Sequence, residues 1–209
     1  MRHMTGTSTA TSTRVRMTPE GRREQLLDLG VRLLSTRSLE QVSIEVLSEE
    51  AGISRGLLYH YFGSKEDFHR AVVRRAADDL IAVTAPGQGD DLTAVLTDSL
   101  GAYVDYVVAN RPGYLSLVRA AAGGNEALRE IYEEARASLT GRMFERAGEH
   151  GISALGYEDT PAARLMVRGW SALAESVVLD WSADQHGVTR DDLLAALAAS
   201  LFGALDAAP

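Results

Sequence analysis

The stretch SRGLLYHYFGSK, residues 54–65, carries Ser54, Arg55, Tyr59, His60, Tyr61, Ser64 and Lys65, the only lysine of the chain. Every one of these side chains can donate a hydrogen bond, and two hold a fixed positive charge, a set suited to phosphate oxygens and base edges. Ser43 and Ser54 each precede a helical pattern, so each can offer its hydroxyl and the first backbone N–H groups of a helix to an anion. Lys65 adds a cation at the next helix start. On a helix after Ser54, the residues Leu58, Tyr61 and Phe62 stand three and four apart and form a packing face, while Arg55, Tyr59 and His60 fall on other sides. Tyr59 and His60 are adjacent, so they cannot both join Leu58 and Phe62, and at least one faces solvent. Against this stands the ordinary reading of aromatic residues at helical spacing, which places Tyr61 and Phe62 in the core.

The elements around this stretch are helical. Thr18 can cap, Pro19 fits a first helical position, and Leu26, Leu27, Val31 and Leu34 make one apolar stripe. SIEVLSEEA from Ser43 places Ile44, Leu47 and Ala51 on one face, and Gly52 ends it. The two short helices are joined by about three residues, a helix-turn-helix pattern whose second helix enters the major groove by its N-terminal end. Ile53 and Leu58 would anchor that helix to Leu47. Ser64 and Asp67 start a long helix that Pro86 and GQGD break. Five further helical segments follow, each bounded by Gly, Pro, Asn or a capping Thr, and no strand pattern occurs. The expected fold is all-α, with an arm over residues 1–17 that lacks periodicity and is expected to be disordered. A three-helix DNA-binding domain follows over residues 18–65 and a larger helical part over residues 66–209.

Composition narrows the function. The absence of Cys excludes disulfides, Cys-ligated zinc and thiol catalysis, and no apolar run reaches the length of a membrane span. The expected location is the cytoplasm, with no membrane partner. The net charge of -8 is uneven: residues 1–65 hold eight Arg and one Lys against seven acids, whereas residues 66–209 hold twelve Arg against twenty-two acids. Phosphate binding rests on Lys and Arg, so the first part suits nucleic acid and the second does not. The five histidines are dispersed, and H-E-x-x-H, G-x-S-x-G, P-loop and G-x-G-x-x-G patterns are absent, so neither catalysis nor a cofactor is expected.

SIEVLSEEAGISRGLLYHYFGSKEDF, residues 43–68, resembles the DNA-binding core of the TetR family of bacterial transcriptional regulators, and residues 19–37 match it loosely. The resemblance implies a dimeric regulator, most often a repressor, that reads a palindromic operator in double-stranded DNA and is released by a small, often lipophilic effector, with residues 66–209 as its helical effector-binding and dimerisation domain. It implies that Ser43 and Ser54 cap onto phosphates, that Arg55 and Gly56 face bases, and that Tyr59 and Tyr61 touch phosphates or base edges. His60 would lie in the groove and Lys65 on phosphate. Ser48 and Ser38 depart from the family pattern, where Ala and Gly are usual. An activator on the same fold, or a helical interaction protein without DNA binding, remains the alternative.

Past residue 66, RLMVRGWSALAESVVLDW sets Met166, Trp170, Leu173, Val177 and Trp181 on one face, with Leu165, Gly169, Ala172, Ser176 and Leu179 around the other. A helix apolar or small on both sides needs two burial partners. The last segment, LLAALAASLFGAL, is apolar nearly all round, with Ala196, Ala199 and Phe202 among its residues. Together these read as half of an intermolecular four-helix bundle, or else as helices buried within one large domain. Tyr103, Val107, Tyr132, Met166 and Trp170 could line a cavity or simply fill the core, and the family resemblance favours the cavity. Asp98, Asp105 and Glu175 are the acids that could meet a cationic effector.

Overall fold

The computed structural model describes residues 18–87, 91–145 and 152–208. The arm expected over residues 1–17, part of the GQGD break and the tail of the segment expected to reach residue 151 lie outside them. Among the described residues the order is α1 (Pro19–Leu34), α2 (Ile44–Ala51), α3 (Arg55–Phe62), α4 (Lys65–Val83), α5 (Leu92–Ala109), α6 (Arg111–Ala122), α7 (Glu126–Glu145), α8 (Pro161–Ala183) and α9 (Arg190–Asp206). Two short 3-10 turns, Leu39–Gln41 and Ile152–Leu155, were not anticipated, because three or four residues carry too little periodicity to be read.

Most helices begin where a short polar side chain accepts an otherwise unpaired backbone N–H. Thr18 takes the N–H of Gly21 at 3.1 Å, Ser43 that of Val46 at 3.3 Å, Ser54 that of Leu57 at 3.3 Å and Ser64 that of Asp67 at 3.0 Å. Asp91, Thr160 and Thr189 cap α5, α8 and α9 in the same way. Such caps contribute about 1 kcal/mol each and set where each helix starts. The departure at Ser38 is absorbed locally, since Ser38 opens the first 3-10 turn and its N–H donates to Gln41 Oε1 at 2.9 Å.

The first interior joins α1, α2, α3 and α4: Leu26, Val42, Ile44, Leu47, Leu58, Phe62, Phe68 and Val72 are buried together. This cluster runs on past residue 65 along α4 and takes in Leu128 and Ile131 of α7. Gly52, at φ 64°, supplies the left-handed residue that ends α2 and sets the angle of α3. On the other side of α1, α6 lies so close that a Cβ at Gly113 would stand 2.6 Å from Leu34 Cβ and 2.9 Å from the Leu34 carbonyl oxygen. Ser116, buried on α6, accepts the N–H of Leu39 at 2.9 Å and donates to Glu40 at 3.2 Å. Arg75 braces α4 to α1 through Glu24 at 2.6 Å and Asp28 at 2.7 Å.

The second and third interiors pack α5, α8 and α9, with Phe144 of α7 and Ile152. The buried side of α8 is Ala163, Val167, Trp170, Ala174, Val178 and Trp181. Leu173 and Val177, expected on that side, are exposed instead. Both stripes recur every three or four residues and share Trp170 and Trp181; with apolar residues on both sides, periodicity cannot choose between them. Leu193, Leu194, Leu197, Leu201 and Leu205 form the buried side of α9, and Ala196 and Ala199 face outward.

Candidate nucleic-acid interface and effector cavity

α3 is held by its inner side and open on its outer side. Leu58 is fully buried, Phe62 meets Phe68 edge to face at 5.1 Å, and Arg23 of α1 lies over the Phe62 ring. Arg55, Gly56, Tyr59 and His60 are exposed, Tyr59 at 45% of its surface. A Cβ at Gly56 would meet nothing within 4 Å, so this part of the helix is free to lie close to another surface. Tyr61 is half-buried against the first interior, with its ring 5.8 Å from that of His60, so it serves packing as well as any contact outside. Arg55 rests 3.8 Å from Glu45 of α2, with both side chains largely in solvent. Such a pair contributes little and yields readily to a phosphate or a base edge.

Ser43, Ser54 and Lys65 stand at the N-termini of α2, α3 and α4. Free backbone N–H groups and the positive end of the helix dipole collect there, beside the exposed ammonium of Lys65. Behind them, His69 of α4 meets the carbonyl of Val42 at 2.9 Å, tying α4 to the start of α2. Burial pushes the His69 imidazole below its ordinary value, so the ring is held neutral. Glu40, in the neighbouring turn, is held below the usual carboxylate range: burial acts against this, but hydrogen bonds from its own N–H, Ser38 and Ser116 outweigh it.

A cavity of about 190 Å³ lies among α5, α7 and α8, closed at one end by Thr84 and Pro86 after α4 and by Ile152 and Leu155. Tyr103 and Trp170 of the expected set line it. Val107 is fully buried among Leu100, Val104 and Val178 and is not on its wall, and neither is Met166. Val107 and Tyr103 are one helical turn apart, but only one of them points into the space, a choice made by how α5 is rotated. Tyr132 lines a smaller neighbouring void of about 50 Å³ between α1, α4, α5, α6 and α7.

Sequence reasoning missed Ser99, Tyr114, Arg136, Thr140 and Ser171, all on the cavity wall. The i, i+4 pairs Ser99/Tyr103 and Arg136/Thr140 are the signal that could have found some of them. Glu175, buried at 8% exposure, also lies on the wall; its carboxylate accepts from Tyr114 at 2.7 Å and from Tyr132 at 2.5 Å. Burial pushes the Tyr103, Tyr114 and Tyr132 phenols up, and all three stay protonated at neutral pH. The other two acids singled out are elsewhere: Asp98 is exposed, and Asp105 is held by Arg190 through two contacts of 2.8 Å.

The residues expected at a subunit interface divide. Leu165, Gly169, Ala172 and Ser176 of α8 and Ala196 and Ala199 of α9 are exposed, joined by Leu173 and Val177. Leu179 and Phe202 are half-buried: Leu179 packs against the second interior and Phe202 stacks on Tyr157. No helix among the described residues is long and apolar enough to cross a membrane, and no group of three potential metal ligands occurs among them.

Comparison with known proteins places this arrangement. Residues 26–72 match the family described as bacterial regulatory proteins, tetR family, and residues 92–203, more than half of the chain, match the tetracyclin repressor-like C-terminal domain. A tetR-family transcriptional regulator from Streptomyces coelicolor is 33% identical, with a TM-score of 0.77 over 90% of this chain and 82% of that one. The transcriptional repressor KstR2 of Rhodococcus jostii is 40% identical over 60 residues, 29% of each chain. The transcriptional regulator BetI of Burkholderia thailandensis is 36% identical over 66 residues, 32% of this chain and 34% of that one. The likeness to these two curated relatives thus covers only about a third of their length. The family is one of DNA-binding regulators, not enzymes. With the helix-turn-helix and the helical C-terminal domain both matched in order, the chain belongs to the TetR family of transcriptional regulators.

Proposed function

We propose that the protein is a cytoplasmic repressor that binds a near-palindromic duplex operator as a homodimer and is released by a small, mostly apolar effector held in the cavity. One observation carries this reading: α4 runs unbroken from Ser64, beside α3, to Thr84 on the cavity wall. Its far end is fixed by Arg142, another wall residue, which donates to the carbonyl of Ile81 at 2.7 Å. Whatever fills the cavity therefore presses on the helix that positions the reading head. Arg55, Gly56, Tyr59 and His60 are proposed to face the bases, and Ser43, Ser54, Tyr61 and Lys65 the phosphates. Residues 18–65 are proposed as the reading head and residues 66–209 as the sensing and dimerising part.

For the dimer, Leu165 is 67% exposed and Leu173 48% exposed, beside the small residues Gly169, Ala172, Ala196 and Ala199. A strip that is large and apolar on α8 and small on α9 lets helices of a second copy approach closely. The two α3 helices would then stand about 34–36 Å apart or slightly more, one turn of duplex.

The test is an anisotropy titration on duplex selected from a random library, with wild type and Trp170→Ala compared, each with and without an effector found by screening. The variant should bind operator nearly as wild type does and lose or redirect the response. A full wild-type response would remove Trp170 from the effector site, and absence of salt-sensitive duplex binding by wild type would overturn the reading as a whole.

A further inference from the structure

The hydrogen bonds on the cavity wall have a direction, and it bears on which ligand fits. Glu175 accepts from both Tyr114 and Tyr132. A phenol has one proton. That of Tyr114 goes to Glu175, so in the 3.0 Å contact between Tyr103 and Tyr114 the donor is Tyr103. On the other branch, Tyr132 donates its hydrogen bond to Glu175 and accepts from Arg136 at 3.4 Å. Arg136 is further held by Ser171 Oγ at 2.9 Å and the carbonyl of Arg168 at 3.2 Å. The chain thus runs from Tyr103 through Tyr114 to the carboxylate, and back from Tyr132 to the guanidinium. One negative and one positive group are bridged within it, and the Tyr103 oxygen ends it with its proton spent and no donor to it among the described residues.

Ser99 stands one helical turn before Tyr103 on α5 and lines the same cavity. Its hydroxyl oxygen is buried and has no hydrogen-bond partner among the described residues. The other wall hydroxyls differ. Thr84 donates to the carbonyl of Leu80 at 2.7 Å, Thr140 to that of Arg136 at 2.9 Å and Ser171 to that of Arg168 at 2.8 Å. Ser99 alone among these serine and threonine hydroxyls keeps a proton to give, and it shares a face of α5 and the cavity wall with Tyr103, whose oxygen can only accept. A buried hydroxyl left unmet is costly, so a ligand group that satisfies both gains more than a solvent-exposed contact would.

We propose that the effector is an uncharged apolar molecule bearing a hydroxyl, whose O–H donates to the Tyr103 oxygen while its own oxygen accepts from Ser99. This rests on the reading of the cavity as the effector site and names the ligand class for it. A cationic effector finds each Glu175 oxygen already holding a phenol, with the Arg136 guanidinium one hydrogen bond beyond Tyr132. An anionic one would compete with the carbonyl of Ile81 for Arg142, or with Ser171 and the carbonyl of Arg168 for Arg136.

The experiment measures binding by calorimetry for four probes of one chain length: 1-octanol, octyl methyl ether, octanoate and octylammonium. On wild type, 1-octanol should bind roughly five- to tenfold more tightly than the ether, the loss expected for one buried hydrogen bond. Tyr103→Phe should bring alcohol and ether to near parity. Ser99→Ala should weaken both by a similar factor, because both oxygens accept from Ser99. Ether binding equal to alcohol on wild type, or octanoate or octylammonium binding more tightly than 1-octanol, would overturn the hydroxyl assignment while leaving the cavity as a binding site. Binding of none of the four would overturn the cavity reading itself. The wild-type comparison stands even if a variant fails to fold.

Discussion

The reading head and the effector part bury their side chains to different ends. In the head, Val42, Ile44, Leu47 and Leu58 are fully enclosed against Phe68 and Val72 of α4, and the polar groups proposed to read out point away from them. In the effector part, phenols, a carboxylate and a guanidinium turn inward around open space. Side chains bound a space of about 190 Å³ there without filling it. The head is thus built to hold one shape, and the other part to enclose a space, the proposed effector site.

Truncating each interior sharpens that contrast. Leu58→Ala removes a fully buried anchor of α3 and should cost about 2–5 kcal/mol, read as a lower urea midpoint with operator binding lost. Trp170→Ala, at the edge of an existing void, should cost distinctly less in the same titration; equal losses would break the comparison.

The assembly surface gives the next largest effect. Ala199→Glu places a carboxylate on the outward side of α9, where the proposed dimer would bury it at a cost of several kcal/mol. Sedimentation should show monomer at micromolar concentration, and a persistent dimer would put the interface elsewhere. Gly113→Ala tests the joint between the two parts. Its Cβ would collide with Leu34, backbone included, so the variant should lose about 1–3 kcal/mol and shift operator affinity through α1. Unchanged melting and binding would show that α6 yields freely.

On the reading face, Arg55→Ala and His60→Ala should each cost about 1–3 kcal/mol of discrimination at one base step, while Lys65→Ala should weaken all duplexes alike and flatten the salt dependence. The smallest effect concerns pH. His69 titrates below its ordinary 6.5 when folded, so the unfolded chain binds more protons between the two values, and stability falls as pH drops through that window. His69→Gln should flatten this slope in thermal melts from pH 7 to 5. A slope unchanged from wild type would assign the acid loss to other groups, Glu40 contributing as pH falls further, through its own lowered value.

The head was legible in the sequence because its information is local. Ser54 as a cap, Gly52 as a left-handed stop, Leu58 and Phe62 as the inner side of α3, and the exposure of at least one of Tyr59 and His60 follow from spacing within a dozen residues, where backbone geometry dictates the outcome; that both are exposed came from the structure. Helix number and order past residue 66 were legible for the same reason, from caps and breakers. The cavity and the buried side of α8 were not. Which of Tyr103 and Val107 points into open space, whether Leu173 faces in or out, and which residues meet Glu175 depend on the rotation of packed helices about their axes. Those rotations are set by contacts between α5, α6, α7 and α8, residues up to some seventy positions apart, such as Tyr103 and Glu175. An apolar residue at helical spacing marks a candidate for burial; only the packed neighbours decide whether it is buried and against what.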